Sequence, residues 1–270
     1  MSILRKIYNK LYQKKIVVKA HVVVSDPSNR LQGKRIVVTG GTGGIGLAMA
    51  RRFVAEGAKV LIAGRNEKKL DTISNELCCE ALHLDVTCVG TFENFISSAI
   101  RILGGIDCLV NNAGVSLHEQ FQTVTPEGFD KQVATNLRGP FFLSQKVLAY
   151  MSENKINGQV LFISSETGET VDIRPYGLTK AAVNSLVQGL AYLYAKDGIR
   201  VNALSPGVTA TGMTGFSADN LYCSYNTNGR AYLPEEIAEA ATFLLSDSSG
   251  CVSGQILVCN NARTVNARWK

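Results

Sequence analysis

Beyond Lys34 the chain alternates two patterns. Short runs dense in β-branched and apolar residues occur at Lys34–Thr39, Lys59–Ala63, Ala81–Leu84, Asp107–Val110, Gln159–Ile163, Arg200–Leu204 and Gln255–Val258. Between them lie longer runs with apolar positions at helical spacing: Gly44–Glu56, Glu67–Leu77, Thr91–Leu103, Glu127–Met151, Tyr176–Lys196 and Pro234–Ser246. Strands that are apolar almost throughout are buried on both faces, and helices between them supply the cover. The pattern predicts a doubly wound α/β fold, a parallel seven-stranded sheet with helices on both faces. Two stretches stand outside it. Residues 1–30 form an arm ending in the polar break Ser25–Asn29, and residues 209–233 form a long irregular segment rich in Thr, Gly, Asn, Ser and Tyr, the length of a lid or binding loop.

With 270 residues, 46% hydrophobic and 19% charged, the chain suits one domain (residues 31–270) and excludes general disorder. The apolar stretches Ile16–Val18 and Val22–Val24 are interrupted by Lys19 and His21, so neither a signal-peptide core nor a membrane span is expected. The seven cysteines form no Cys-x-x-Cys and the three histidines are scattered, so no metal site is expected and the chain reads as reduced and cytoplasmic, its cysteines as packing residues. The net charge of +6 resides in the first twenty residues, where Arg5, Lys6, Lys10, Lys14, Lys15 and Lys19 meet no acid; the remainder balances. That argues against nucleic acid as a partner. In the arm, Ile3, Leu4, Ile7, Tyr8, Leu11 and Tyr12 recur at helical spacing, so residues 3–15 suit weak contact with an anionic membrane surface or a protein, or an arm packed on its own dimer.

The first strand runs into Thr39-Gly-Gly-Thr-Gly-Gly-Ile-Gly46 and then a helix. Glycines there let backbone approach a pyrophosphate, and the helix start offers free N–H groups. No Gly-Lys-Ser/Thr follows, which sets aside a P-loop. An acid at the end of the second strand would hold the ribose of NAD; the run here is Ile62-Ala-Gly-Arg-Asn66. Arg65 suits the 2′-phosphate of NADP(H), which is therefore favoured over NAD(H); the alternative is a solvated, helix-capping arginine.

These motifs, with Asp85, Asn111-Asn-Ala-Gly114, Asn136, Ser165, Tyr176-x-x-x-Lys180 and Pro206-Gly207 in order, resemble the short-chain dehydrogenase/reductase family in its compact single-domain subgroup, over about residues 31–260. The glycine spacing also fits the extended epimerase-type subgroup, but few residues remain for that subgroup's C-terminal domain. The resemblance implies a Rossmann-type sheet and a cofactor site of Gly40, Thr42, Gly43, Gly44, Ile45, Gly46, Arg65, Asp85, Val86, Asn112, Ala113, Gly114, Tyr176, Lys180, Pro206, Gly207, Thr209 and Thr211. It implies a reactive set of Asn136, Ser165, Tyr176 and Lys180. Tyr176 and Lys180 stand one helical turn apart, so an ammonium near the phenol favours phenolate. Ser165 resembles the residue that bonds the substrate oxygen, with Ser164 structural, and Asn136 the residue at a helix kink that links Lys180 to solvent through water. Asn136 is otherwise a helix-interior asparagine bonding its own backbone, and Asp85 a turn cap.

Three readings follow. The first is an NADP(H)-dependent oxidoreductase interconverting a carbonyl and a secondary alcohol on a small molecule (a 3-oxoacyl, keto-sugar or other small polar ketone), assembled as a homodimer or homotetramer. The second is a non-catalytic NADP-binding regulatory or scaffolding protein, and the third a nucleotide-sugar epimerase or dehydratase. Within the lid, Asn220, Tyr222, Ser224, Tyr225 and Asn226 are candidate ligand contacts. Glu166 reads as a solvated side chain, the tail from Arg263 as an interface cover or a fraying end, and Val258–Ala262 departs from the family's Asp-Gly-Gly.

Overall fold

A computed structural model describes residues 17–20 and 28–265. Seven parallel strands form one sheet: β1 (Arg35–Thr39), β2 (Lys59–Gly64), β3 (Glu80–His83), β4 (Cys108–Asn111), β5 (Gln159–Ile163), β6 (Arg200–Pro206) and β7 (Ile256–Cys259). Their order is β3-β2-β1-β4-β5-β6-β7. The chain winds outward from β1 in one direction and, from β4, in the other. That reversal opens a crevice beyond the carboxyl ends of β1 and β4, the place where such sheets bind ligands.

Helices α1 (Gly44–Ala55), α2 (Glu67–Leu77) and α7 (Pro234–Leu245) cover one face, and α3 (Phe92–Leu103), α5 (Gly139–Glu153) and α6 (Pro175–Tyr194) the other. Met49, Phe53, Ile62 and Leu161 fill the first core; Phe92, Leu109, Leu143 and Phe162 fill the second, all 0–1% exposed. Neighbours Leu161 and Phe162 enter opposite cores, as the two-residue period of a doubly covered strand demands. Among the described residues no helix is long and apolar enough to cross a membrane.

One helix is interrupted. The run read as a single helix from Glu127 to Met151, with a kink at Asn136 implied by the resemblance, is α4 (Pro126–Val133), a π-helical turn at Ala134–Arg138 that contains Asn136, then α5. Pro140 has no N–H to give the Asn136 carbonyl four residues earlier, so the regular ladder cannot pass through this point. Not all cysteines pack: Cys78, Cys88 and Cys251 are exposed, and only Cys108 and Cys223 are buried. Cys78 ends α2 in the left-handed region, with φ 52°. The segment 209–233 holds only isolated bridges. It packs around Leu221, Cys223 and Ala231, with Ala20 against them, and Val18 accepts from the Leu221 amide at 2.8 Å. The basic arm 3–15 lies outside the described residues.

The chain enters β1 past a buried ion pair. Glu56, 0% exposed, accepts from the Ser28 and Arg30 amides (3.1 and 3.0 Å) and pairs with Arg30 at 2.5 Å and Arg52 at 2.8 Å. Burial pushes the carboxyl up, but the Arg30 bonds and amides outweigh it and hold its pKa below the ordinary range. A depressed carboxylate stabilises the fold above its unfolded pKa, and that contribution is lost as pH falls through the folded value. Glu56→Gln should therefore cost about 3 kcal/mol at pH 7, because it leaves two guanidinium groups sharing the single carboxylate of Glu239, which pairs with Arg30 at 3.0 Å and Arg52 at 2.7 Å. The difference from wild type should shrink in thermal melts as pH falls below the ordinary carboxylate range and the native carboxylate takes up its proton.

Candidate active site

The glycine loop is shaped by a knot of hydrogen bonds between β1 and β4. The Asn112 side-chain amide donates to the Thr39 and Gly40 carbonyls (3.0 and 3.1 Å). The Thr39 hydroxyl accepts from the Asn112 and Ala113 amides (3.0 and 3.1 Å) and donates to the Val110 carbonyl. Gly46 is pressed into this knot: a Cβ there would lie 2.2 Å from the Gly40 carbonyl oxygen and 2.4 Å from Asn112 Nδ2. At Gly43, by contrast, a Cβ would meet nothing within 4 Å. Gly43 caps α1 without a side-chain hydrogen bond, and no acid stands in the first turn, so the helix N-terminus keeps free N–H groups and an unneutralised positive end.

A cleft of about 780 Å³ runs from this loop across the sheet edge. Its lining includes Gly40, Gly43, Gly44, Ile45, Asn112, Ala113, Gly114, Ser165, Tyr176, Lys180, Pro206, Gly207, Thr209 and Thr211. A Cβ on Gly44 would come within 3.1 Å of Thr211 Cγ2, so the start of the lid leans over the glycine loop. Thr42, Gly46, Arg65, Asp85, Val86 and Asn136 of the expected residues do not line the cleft. Val86 is buried with its carbonyl against Gly139, and Gly46 acts within the loop. Arg65 is exposed at the end of β2 and does not cap the next helix, a task done by the Asn66 side chain, which accepts from the Lys69 amide at 3.0 Å. Asp85 caps its own turn, accepting from the Thr87 amide and hydroxyl at 2.9 and 2.8 Å.

Ser165, Tyr176 and Lys180 converge. Ser165 stands two residues past β5, at the start of a short helical turn, and hydrogen-bonds the Tyr176 phenol. Pro175 starts α6 and puts Tyr176 and Lys180 on one face. Lys180 Nζ is 5.6 Å from the Tyr176 ring centroid and donates to the Ile163 carbonyl at 2.7 Å. Burial pushes its pKa down to about 8. Burial also raises the Tyr176 phenol above its ordinary value; the Ser165 bond and Arg174 oppose this, and Glu166 adds to it. Among the chain's own groups, then, Tyr176 stays a protonated phenol at neutral pH, where the one-turn spacing to Lys180 suggested phenolate.

The π-turn carries Asn136 to this centre. Its side chain accepts from the Val115 amide (2.8 Å) and donates to the Val115 carbonyl (2.9 Å) and Thr179 hydroxyl (3.3 Å), so it bonds these rather than its own helix. A Cβ on Gly114 would be 3.4 Å from Asn136 Oδ1 and 3.7 Å from Lys180 Nζ, which places both beside the same backbone turn. Ser164 is structural, its hydroxyl donating to Asn184 at 2.6 Å.

Over this frame, a sequence model described as Enoyl-(Acyl carrier protein) reductase matches residues 39–261. The chain belongs to the short-chain dehydrogenase/reductase family. Membership makes it an oxidoreductase of the alcohol–ketone type. It is 34% identical over 248 residues to a gluconate 5-dehydrogenase of Gluconobacter oxydans (strain 621H), covering 87% of this chain and 96% of that one. A glucose 1-dehydrogenase of the same strain is 32% identical over 252 residues, covering 88% and 94%. A solved 3-ketoacyl-(acyl-carrier-protein) reductase from Brucella melitensis, complexed with NADH, has a TM-score of 0.81 at 30% identity and covers 87% of this chain and 100% of its own.

Two expectations about this family member's cleft are corrected. Of the lid residues Asn220, Tyr222, Ser224, Tyr225 and Asn226, Tyr225 alone lines the cleft. Asn226 is 4% exposed and donates to the Arg230 carbonyl at 2.7 Å, and Asn220 receives the Val18 and Tyr222 amides. Glu166 is not solvated but 5% exposed, paired with Arg263 in the segment after β7. Sequence reasoning missed Arg263, His118, Glu119 and Arg174 as lining residues, because no motif marks them.

The two glycines should separate by experiment. Gly43→Ala should leave the thermal midpoint unchanged, since its new methyl meets no protein atom. Gly46→Ala should lower it by several degrees, about 2 kcal/mol of overpacking strain. Equal melting of the two variants would show that the knot does not constrain the loop.

Proposed function

We propose that the chain interconverts a ketone and a secondary alcohol with a nicotinamide dinucleotide, NADP(H) in preference to NAD(H). The observation that carries this reading is the convergence of Ser165, Tyr176 and Lys180 on the same cleft as the uncapped N-terminus of α1. The glycine loop fits the group: open space above Gly43, free N–H donors and a positive helix end would receive a pyrophosphate. Ala113 and Gly114 would admit the dinucleotide against backbone, and Lys180 would hold its nicotinamide ribose. When bound, the dinucleotide supplies the hydride for reduction and takes it in oxidation.

The chain's own residues handle the oxygen and the proton. The Ser165 hydroxyl donates to the substrate carbonyl oxygen and holds it beside Tyr176. As the carbonyl carbon gains its hydride, the C=O π pair moves to oxygen, which takes the phenol proton of Tyr176. The tyrosinate left behind is stabilised by the Lys180 ammonium and re-protonated by way of it; oxidation runs the same steps backwards. Burial serves this sequence, since a phenol raised above its ordinary value is fully protonated at neutral pH, and a lysine near 8 gives up a proton readily. The intact set disfavours a purely regulatory nucleotide-binding protein.

NADP(H) preference is supported by Arg65, exposed at the end of β2 with its neighbour Asn66 doing the capping, and by the lack of an acid there. The substrate class favoured is a small polar ketone, since the cleft adds Ser116, His118, Glu119, Gln132 and Arg174 to its lining. The names of the gluconate and glucose dehydrogenases support a sugar-like member of that class, and the name of the 3-ketoacyl reductase supports an acyl one.

Tyr176→Phe should abolish turnover, by at least about a thousandfold, while dinucleotide affinity measured by nicotinamide fluorescence stays within about twofold. In wild type the alcohol-oxidation rate should rise with pH into the alkaline range as the phenol ionises, and the reduction rate should fall there. A reduction rate that climbs with pH would remove Tyr176 from the proton-donor role. Arg65→Ser should weaken NADPH about tenfold, or about 1.4 kcal/mol, with NADH affinity little changed; an unchanged ratio would show that Arg65 does not discriminate.

A further inference from the structure

Two departures of this sequence from its family meet at one contact. Glu166 follows Ser165 directly, and the chain leaves β7 through Asn260-Asn-Ala-Arg263. The Glu166 carboxylate accepts from Asn260 Nδ2 at 3.2 Å and from Arg263 Nη1. Asn260 Nδ2 also donates to the Thr264 hydroxyl at 2.9 Å, and the Thr227 hydroxyl donates to the Asn261 carbonyl at 2.5 Å. The Arg263 guanidinium lies over the Tyr225 ring, 5.2 Å from its centroid. The segment 260–264 after β7 is thus tied to the loop after β5 and to the lid, and Glu166, Tyr225 and Arg263 all line the cleft.

The pair has capacity left. A carboxylate accepts about four hydrogen bonds and a guanidinium donates five. The contacts above use two of the first and one of the second, and the Arg263 side chain is 33% exposed. Elsewhere in the lining, Arg174 is held bidentately by Asp172 at 2.8 and 2.6 Å, and Glu119 accepts from Gln132 at 3.0 Å. On this wall the Arg174 and Arg263 guanidinium groups each face a carboxylate and Glu119 meets only a neutral amide, an arrangement without a spare guanidinium for a phosphorylated tail. It suits groups that donate and accept at once, and a hydroxyl does both.

We propose that Glu166 and Arg263 form a hydroxyl-reading pair that selects a polyhydroxylated substrate. The carboxylate accepts from one hydroxyl and the guanidinium donates to the oxygen of its neighbour, next to the carbon that exchanges hydride at Ser165 and Tyr176. The pair deepens the carbonyl–alcohol reading of this cleft and rests on it. A site that hydrogen-bonds substrate hydroxyls rejects analogues lacking them far more strongly than an apolar pocket discriminates by size.

The test uses the full chain with NADP+, and D-gluconate, D-glucose and cyclohexanol as probes, read by reduced-nicotinamide absorbance and, with dinucleotide present, by thermal shift. Arg263→Ala and Glu166→Gln should each lower the kcat/KM ratio of the better polyol to cyclohexanol at least about tenfold, with the loss on KM. Arg263→Lys should recover part of it, and dinucleotide affinity should hold. The thermal shift given by the polyol should need correspondingly more ligand in the two variants, a readout that survives if turnover is slow. Equal losses on polyol and cyclohexanol would reduce the pair to a structural tie and overturn the proposal. So would wild type that oxidises cyclohexanol yet neither binds nor oxidises D-gluconate or D-glucose. Wild type that binds dinucleotide but turns over none of the three, and no 3-oxoacyl thioester with NADPH, would overturn the underlying reading along with the proposal.

Discussion

The cleft exists because two parallel strands are tied together at their carboxyl ends. Thr39 at the tip of β1 and Asn112 just past β4 exchange hydrogen bonds through both backbone and side chains. With those bonds made, Gly40 and Gly46 are held in contact and α1 must start at one angle. The helix then points its unsatisfied amides into the crevice instead of into solvent. A sheet whose strand order reverses always leaves a crevice; this knot turns it into a cradle with defined walls.

The chain buries charge in two opposite ways, and the contrast separates scaffold from site. Glu56 is enclosed and met by two amides and two guanidinium groups, so its charge is fixed and its task is to anchor the entry to β1. Lys180 is equally enclosed but meets the Ile163 carbonyl, and burial dominates its titration. The first arrangement removes a group from acid–base chemistry near neutral pH. The second brings a group into it.

Much of this was legible from the residues. The apolar runs marked all seven strands; those between the edges are covered on both faces and carry no polar alternation, whereas β3 and β7 at the sheet edges are partly exposed and begin and end one residue from the sequence reading. The glycine loop, Ser165 and the Tyr176–Lys180 pair were visible because each combines a residue type with a place at a strand end or helix start. What stayed hidden depended on contacts distant in sequence. Glu166 and Arg263 are 97 positions apart, and neither residue announces the other. Asn220 and Asn226 looked like ligand contacts because they are polar and in a lid, yet their amides hold the lid's own backbone. The phenolate expectation for Tyr176 weighed the nearby ammonium and lacked the burial that opposes it. The apolar spacing alone hides the break inside the Glu127–Met151 run, because that spacing survives a single wide turn; the kink at Asn136 came only from the resemblance.

That wide turn at Ala134–Arg138 has a consequence for how the protein can change over evolutionary time. A π-turn holds one more residue than an α-turn in the same length of helix. Deleting that residue would tighten the turn toward α spacing, with the gap at Pro140 remaining, and would rotate everything on one side of it by about 100° relative to the other. The buried faces of α4 and α5 could not both stay buried, and the Asn136 side chain would swing away from Val115. No series of single substitutions removes the extra residue, and the one deletion that does disrupts the packing on either side. Once such an insertion sits between two packed helices, lineages can alter the residues around it freely but can hardly lose it, so the turn works as a ratchet on the fold.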